Sequence, residues 1–420
     1  MKDKNFSSHK TTMFDKEYSD TLNRLYNDNL HFNHFKWFLD TAYDWAYSQK
    51  RPDVVLLGTE IPEELVIASG ATPYWLIGGS AGSTFWSDEL LPRDTDPVSR
   101  SILGYIHRLN GADFSDTLFI IPLINDAMRK IAYELKSEGR KICLVDISPD
   151  RNDSYAPQKY TKQLKAMCGA VSEHMGVRVT RQSVISAMKC VSAARHTLHR
   201  FLAVSQQHSG KITDTAVLFV RNTYYLTNSL VEWTHHTEQL ISEIEHGTDR
   251  RCLVKESRPN VLLMGSPIIF PNYKIPFLLQ DIGLSVGNTV DGSTLRANVV
   301  YHSKAMMWKG RDRLIETVAE KWYAYDCSSA FIRNDVLYDY VSWLVRKGTV
   351  DGVVCHILKG QIAYDFELDR FETMLSQYGI PVFRLETDYQ YQDVEQLRIR
   401  MEAFSEMLAQ KKYKEVRKAS

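Results

Sequence analysis

The sequence predicts an α/β protein with two lobes, each a doubly wound parallel sheet, a helical segment between them and an N-terminal helix. Three observations carry this expectation. Short apolar runs alternate with helical stretches from residue 52 to about 150, and again after Ser257. That alternation is the signature of parallel strands joined by crossover helices. Residues 155 to 250 instead carry long helical periodicities with no strong strand run. The chain also has 420 residues, enough for two or three domains of ordinary size. The expected divisions are a tail and helix over 1–50, a first lobe over 51–155, helices over 156–257, a second lobe over 258–410 and a basic tail over 411–420.

The elements follow in order. Residues 1–18 are polar and read as a poorly ordered tail, and 19–49 suit helix because Leu22, Leu25, Tyr26, Leu30, Phe35, Phe38 and Leu39 recur every three or four residues. The first lobe offers strands at 54–57, 74–77, 117–122 and 141–147, with helices at 62–69, 97–109 and 126–138. The central segment offers helices at 161–176, 184–205 and 232–246. The second lobe offers strands at 260–264, 285–290, 352–358 and 381–385. Its helices fall at 276–282, 315–324, 335–347, 366–378 and 394–411. The two lobes read as variations on one plan, although their residues are too different to constitute a sequence repeat.

Composition narrows the function classes. Fifty-one basic residues balance fifty-one acidic ones, so no overall field favours nucleic acid or an anionic membrane. The first twenty residues lack the apolar core of a signal peptide, and no apolar stretch approaches the roughly 20 residues a membrane helix needs. The expected location is cytoplasmic. The six cysteines form no CxxC pair and no zinc or ferredoxin spacing, and read as buried, reduced thiols.

Several motifs point nowhere specific. The segment 78–83 is Gly-rich but lacks the Gly-Lys-Ser/Thr ending of a phosphate loop and does not match GxGxxG. It reads as a surface loop, the alternative being backbone amides that contact a ligand between the lobes. His196 and His199, and the adjacent His235 and His236, lack the acidic partner and third ligand of a zinc site. No GxSxG elbow is present.

Five stretches carry a resemblance. They are IPEELVIASGATPYWLIGGS at 61–80, LPRDTDPVSRSILGYI at 91–106, LFIIPLINDAMRKIAYELK at 118–136, RPNVLLMGSPIIFPN at 258–272, and the block from His356 to Leu408 containing LKGQIAYDFEL and GIPVFRLETDY. Together they resemble subunits of the 2-hydroxyacyl-CoA dehydratase and benzoyl-CoA reductase family. The resemblance implies two Rossmann-like lobes with the site in the cleft between them, beyond the carboxyl ends of the strands. It also implies paired homologous subunits, an ATP-driven iron-sulfur activator that delivers one electron, and a ketyl radical formed on an acyl-CoA thioester. The family holds a 4Fe-4S cluster on three cysteines. At those positions this chain has Asp96, Asn125 and Gln361.

Amides and a carboxylate cannot replace thiolates around such a cluster. The expectation is therefore no cofactor on this chain, with a 4Fe-4S cluster only in a homologous partner subunit. Asp96, Asn125 and Gln361 are expected to line one cleft. Asp96 with Asn125 also offers oxygen ligands for a hard cation, against the plainer reading of a hydrogen-bonded polar cleft. Substrate-facing candidates are Glu64, Tyr364, Glu386, Asp388, Gln396 and Arg398. Glu63 and Glu64 also suit a helix dipole, and Asp388 suits a cap. Gln396, Arg398, Arg400 and Glu402 face either the cleft, a partner or solvent. Three functions compete: a cluster-free subunit of an acyl-CoA dehydratase or reductase, a repurposed acyl-CoA-binding or scaffold protein, and a non-redox enzyme using the same cleft.

Overall fold

The most apolar runs of each lobe become the centre of its sheet. In the first lobe, β1 (Val54–Leu57) and β3 (Leu118–Pro122) are buried along their whole length and pair in parallel, flanked by β2 (Pro73–Leu76) and β4 (Lys141–Val145), in the order β2-β1-β3-β4. The second lobe repeats this order with β5 (Asn260–Gly265), β6 (Ser285–Val290), β7 (Gly352–Leu358) and β8 (Val382–Thr387), arranged β6-β5-β7-β8. Every pairing is parallel. The chain is thus an α/β protein of two four-stranded parallel sheets flanked by helices. The computed structural model describes residues 13–47, 52–108, 114, 116–247, 258–299, 301, 306, 308–328 and 331–419.

Side-chain alternation assigns the faces. Along β5, Val261 and Leu263 enter the large core that runs through both lobes, whereas Leu262 and Met264 enter a second core under the outer helices of the second lobe. The first-lobe helices are α3 (Glu63–Ala68), α4 (Ala81–Thr84), α5 (Pro97–Arg108) and α6 (Asp126–Ser137), with α1 (Met13–Asp28) and α2 (Phe35–Tyr47) before them. The second lobe adds α11 (Lys274–Asp281), α12 (Arg311–Tyr325), α13 (Asp335–Arg346), α14 (Ile362–Gln377) and α15 (Val394–Ala419). The basic tail therefore continues a helix, whose Tyr413 is exposed.

The N-terminus differs from expectation. Helix begins by Met13, inside the stretch read as tail, because Phe14, Glu17, Tyr18, Thr21, Leu22 and Leu25 form a buried stripe. The single helix expected over 19–49 is two, because Asn29 turns back to cap α1 through Leu25 O at 2.9 Å. Residues 1–12 and 48–51 lie outside the described residues.

Among its described residues the central segment holds four helices, α7 (Ala156–Met175), α8 (Arg181–Gln207), α9 (Asp214–Thr223) and α10 (Leu230–His246). Gly176, at φ 64°, ends α7, and a reciprocal Thr180–Ser183 capping box starts α8. Helix α9 carries no strong apolar periodicity, since Thr215, Asn222 and Thr223 are polar yet buried. These helices do more than link the lobes. Helix α8 packs on α3, α10 and α12, and α9 packs on α11 and β6. Residues 248–257, Cys252 among them, lie outside the described residues; the other five cysteines are free thiols. Among the described residues no helix is long and apolar enough to cross a membrane.

Candidate functional site

The lobes meet where loops leave the carboxyl ends of the strands. Gly79, at φ 103°, is one contact point: a β-carbon there would lie 2.4 Å from Phe270 O, and its own carbonyl accepts from Asn272 N at 3.0 Å. Only a glycine fits so close an approach with that backbone. Gly360 similarly packs against the backbone of Asp94 and Asp96, which brings the loop after β7 onto the first lobe.

The three positions that the family resemblance singles out share one local geometry. Each precedes the first turn of a helix. Asp96 Oδ1 accepts from Ser99 N at 3.0 Å and so caps α5. Asn125 Oδ1 accepts from Met128 N at 2.8 Å and caps α6. Gln361 occupies the cap position of α14 without a capping bond; its Nε2 instead donates across the lobes to Asp96 Oδ1 at 3.3 Å. The structure thus joins Asp96 to Gln361 directly, while the side chain of Asn125 is engaged with its own helix. Among the described residues, no three His, Cys, Asp or Glu side chains are grouped to hold a metal ion.

The other candidates scatter. Tyr364 lies below this seam in a small cavity with Met264, Val290 and Phe371, and its hydroxyl faces Gly292. Its neighbour in sequence, Asp365, pairs with Arg384 at 2.7 Å. Glu386 is exposed. Asp388 accepts from Gln390 N at 2.8 Å, which is a turn-forming role, and pairs with Lys359 at 3.4 Å. Gln396 is exposed, and Arg398 pairs with Asp281 and Glu395 at 3.8 and 3.6 Å. No contact brings Gln396 or Arg398 to the Asp96–Gln361 seam among the described residues.

Glu63 and Glu64 do more than complement a helix end. Both are buried, and both hold Arg195 of α8, at 2.7 and 2.9 Å. Tyr224 donates to Glu63 at 2.6 Å, while Tyr301 and Trp322 donate to Glu64 at 3.0 Å each. Two carboxylates share one guanidinium, so one charge is left over. Burial raises Glu64 to about 7, against the opposing pull of Arg195 and with a further push from Glu63. Beside this pair, Arg296 holds Glu60 and Asp326 at 3.1 Å each and the carbonyl of Thr59. Trp322 lies between the two guanidiniums, 5.3 Å from Arg195 and 5.4 Å from Arg296. Arg221 completes the row, paired with Asp291 at 2.5 Å.

Other polar groups of the seam were not anticipated. The Gly-rich segment 78–83, expected as a surface loop, is buried along its whole length. Its amides do not await a ligand: Ala81 and Gly82 donate to the carboxylate of Glu17 at 3.1 and 3.2 Å, and Ser80 Oγ donates at 2.8 Å. Burial nevertheless raises the pKa of Glu17. Lys274 is buried with four acceptors, on Thr387, Asp388, Gln390 and Asp393, and fixes the loop after β8. Burial lowers the Lys274 ammonium and holds His356, on β7, down to about 4. A signal for Arg195 was present. It stands in the apolar stripe Val184, Met188, Val191 and Leu198, where a charge requires a buried partner.

Residues 59–408 match the family described as 2-hydroxyglutaryl-CoA dehydratase, D-component. The chain belongs to that family. The matched span contains the Glu60–Glu64 loop and helix, the Asp96–Gln361 seam and both sheets except for β1. Two family relatives resemble it over most of their length. "Putative dehydratase subunit YjiM" of Escherichia coli (strain K12) is 25% identical over 389 residues, covering 90% of this chain and 97% of that protein. The (R)-phenyllactyl-CoA dehydratase beta subunit of Clostridium sporogenes is 21% identical over 355 residues, covering 83% and 89% respectively.

Proposed function

We propose that this chain is a cluster-free subunit of an acyl-CoA dehydratase complex, completing a cleft shared with a homologous subunit that carries the 4Fe-4S cluster. The observation that carries the reading is the state of the three positions where the family resemblance expects thiolates. Asp96 Oδ1 and Asn125 Oδ1 each cap a helix, and Gln361 Nε2 donates to Asp96 Oδ1. A cluster needs soft sulfur donors, and a carboxylate with two carboxamides does not fit it. Nearby cysteines do not repair the set. Cys143 and Cys355 lie on β4 and β7, and burial raises both thiols, Cys355 to about 12, which disfavours the thiolate. The names of the relatives support both a subunit role and, for the clostridial protein, a CoA thioester substrate.

Within such a complex this chain's residues would bind and orient rather than carry the electron. The arginines, each already paired with carboxylates, fix the loops at the lobe seam, and the buried Glu64 supplies a carboxyl that exchanges its proton near neutrality. A second reading, an acyl-CoA-binding or scaffold protein without radical chemistry, draws on the Asp96–Gln361 hydrogen bond, which ties together two of the three positions. A non-redox enzyme in the same cleft would draw on the same polar groups.

The test is purification from the native host under anaerobic conditions, followed by subunit separation and iron and sulfide analysis of each. The expected result is a homologous partner that holds all of the iron. Isolation of this chain as a stable homo-oligomer without an iron-bearing partner would reject the subunit reading in favour of the second.

A further inference from the structure

An open sheet ends in two edge strands, and an edge offers unpaired backbone groups to any other strand. Here the edges are β2 and β4 of the first lobe and β6 and β8 of the second. Three of them carry a recognisable block. Strand β2 opens on Pro73, which has no N–H to offer. On β6, Asp214 accepts from Val286 N at 2.7 Å and Gln206 donates to Gly287 O at 3.5 Å. Strand β8 exposes the charged Arg384 and Glu386, and Arg400 donates to Arg384 O at 3.4 Å.

Strand β4 has none of these devices. Its sequence is Lys-Ile-Cys-Leu-Val, apolar after the first residue. Val145 O accepts from Leu123 N at 2.9 Å, so Val145 faces β3. Alternation then turns the N–H and C=O of Ile142 and Leu144 outward. Among the described residues no side chain bonds to those groups. Leu144 is 42% exposed, and Ile142 and Cys143 are half-buried. An apolar edge strand left this open is a template for pairing.

The flanking charges indicate the partner. Residues 140–146 read Arg-Lys-Ile-Cys-Leu-Val-Asp, basic at one end, apolar in the centre and acidic at the other. Turned antiparallel against its own copy, this segment is complementary to itself. We propose that β4 docks a second copy of this chain, paired antiparallel about a two-fold axis at Cys143, so that two four-stranded sheets join into one. Ile142 of each copy lies opposite Leu144 of the other, and the two exchange both backbone hydrogen bonds. Arg140 lies opposite Asp146 of the second copy, and the same pair recurs at the other end. The two Cys143 residues form the central pair, which has no hydrogen bonds and a Cα separation of about 4.5 Å. Helices α6 and α7, which pack on β4, meet their own copies across the axis and enlarge the contact. The interface is isologous and closes at two copies. It uses none of Asp96, Asn125 and Gln361, and it does not rest on the acyl-CoA reading.

Sedimentation velocity of the full, reduced chain over a concentration series tests this. The expected result is a monomer–dimer equilibrium. Diamide added to the dimer should link Cys143 to Cys143 of the second copy, located by peptide mass spectrometry, because that Cα separation lies within disulfide reach, about 4.4–6.8 Å. Cys143→Ser should lose the link and keep the dimer. Leu144→Lys should raise the dissociation constant by more than about tenfold, because it sets an ammonium against Ile142 of the second copy. Asp146→Lys should raise it several-fold by placing like charges opposite each other. Leu144 and Asp146 are both exposed, so these two variants should keep the wild-type thermal midpoint. A chain that stays monomeric throughout overturns the proposal. So does a dimer that Leu144→Lys leaves intact and in which Cys143 does not cross-link, since its contact lies elsewhere. Neither result bears on an iron-bearing partner, which the co-purification decides separately.

Discussion

At the scale of single residues, two buried groups set opposing pH dependences. Glu64 ionises near 7 when folded, against an ordinary value of 4.5, so between those values the folded chain holds a proton that the unfolded chain has lost. Its stabilising contribution is complete below about 4.5 and disappears as pH rises towards 7. His356 behaves in the reverse sense. Its folded value near 4 lies below the ordinary 6.5, so its contribution is complete above 6.5 and is lost as pH falls through 4. Relative to wild type, Glu64→Gln should gain on the order of 2 kcal/mol at pH 7.5 compared with pH 5. His356→Asn should change the same difference in the opposite direction. Urea denaturation at the two pH values measures both, and parallel profiles for all three proteins would contradict the assignments. Arg195→Met should be far more damaging, about 3–5 kcal/mol, because it leaves two buried carboxylates with no cation between them.

At the scale of elements, what the sequence disclosed depended on periodicity. Strands β6 and β7 fell where the apolar runs placed them, and long helices such as α8 were found with shorter ends, because helix starts are set by caps such as Thr180 rather than by the apolar stripe. Helix α9 escaped because its buried residues include hydroxyls and an amide satisfied by hydrogen bonds. The Gly-rich segment was misread for a related reason: its partner, Glu17, is 63 residues from Ser80 in sequence, and no local pattern reports so distant a contact. That contact makes a prediction about helix α1. Glu17→Ala leaves the amides of Ala81 and Gly82 without their acceptor and should cost about 2 kcal/mol. Gly104→Ala should loosen the same corner, since a β-carbon there would sit 1.8 Å from Ser83 O. Guanidinium denaturation midpoints test both; a midpoint unchanged in Glu17→Ala would mean that water replaces the carboxylate at no cost.

At the scale of the whole molecule, two copies of one sheet order face each other across a seam, and the three positions singled out by the resemblance are helix starts on both sides of it. Helix N-termini favour anionic groups, including thiolates, so the frame suits a cluster even though the side chains do not. The seam's Asp96–Gln361 contact was foreshadowed by the resemblance, whereas the arginine row was not, because each of its ion pairs joins distant segments. A triple variant, Asp96→Cys, Asn125→Cys and Gln361→Cys, should therefore take up iron and sulfide under reducing conditions, after losing about 1 kcal/mol for each cap removed. A folded triple variant that binds no iron would mean that the seam has been reshaped beyond its side chains. The most direct measurement is made on the unaltered chain: anaerobic reconstitution with iron and sulfide, followed by metal analysis and a visible spectrum. The expected result is a colourless protein without stoichiometric iron; roughly four irons per chain with broad sulfur-to-iron absorption would contradict the claim that this subunit carries no cluster.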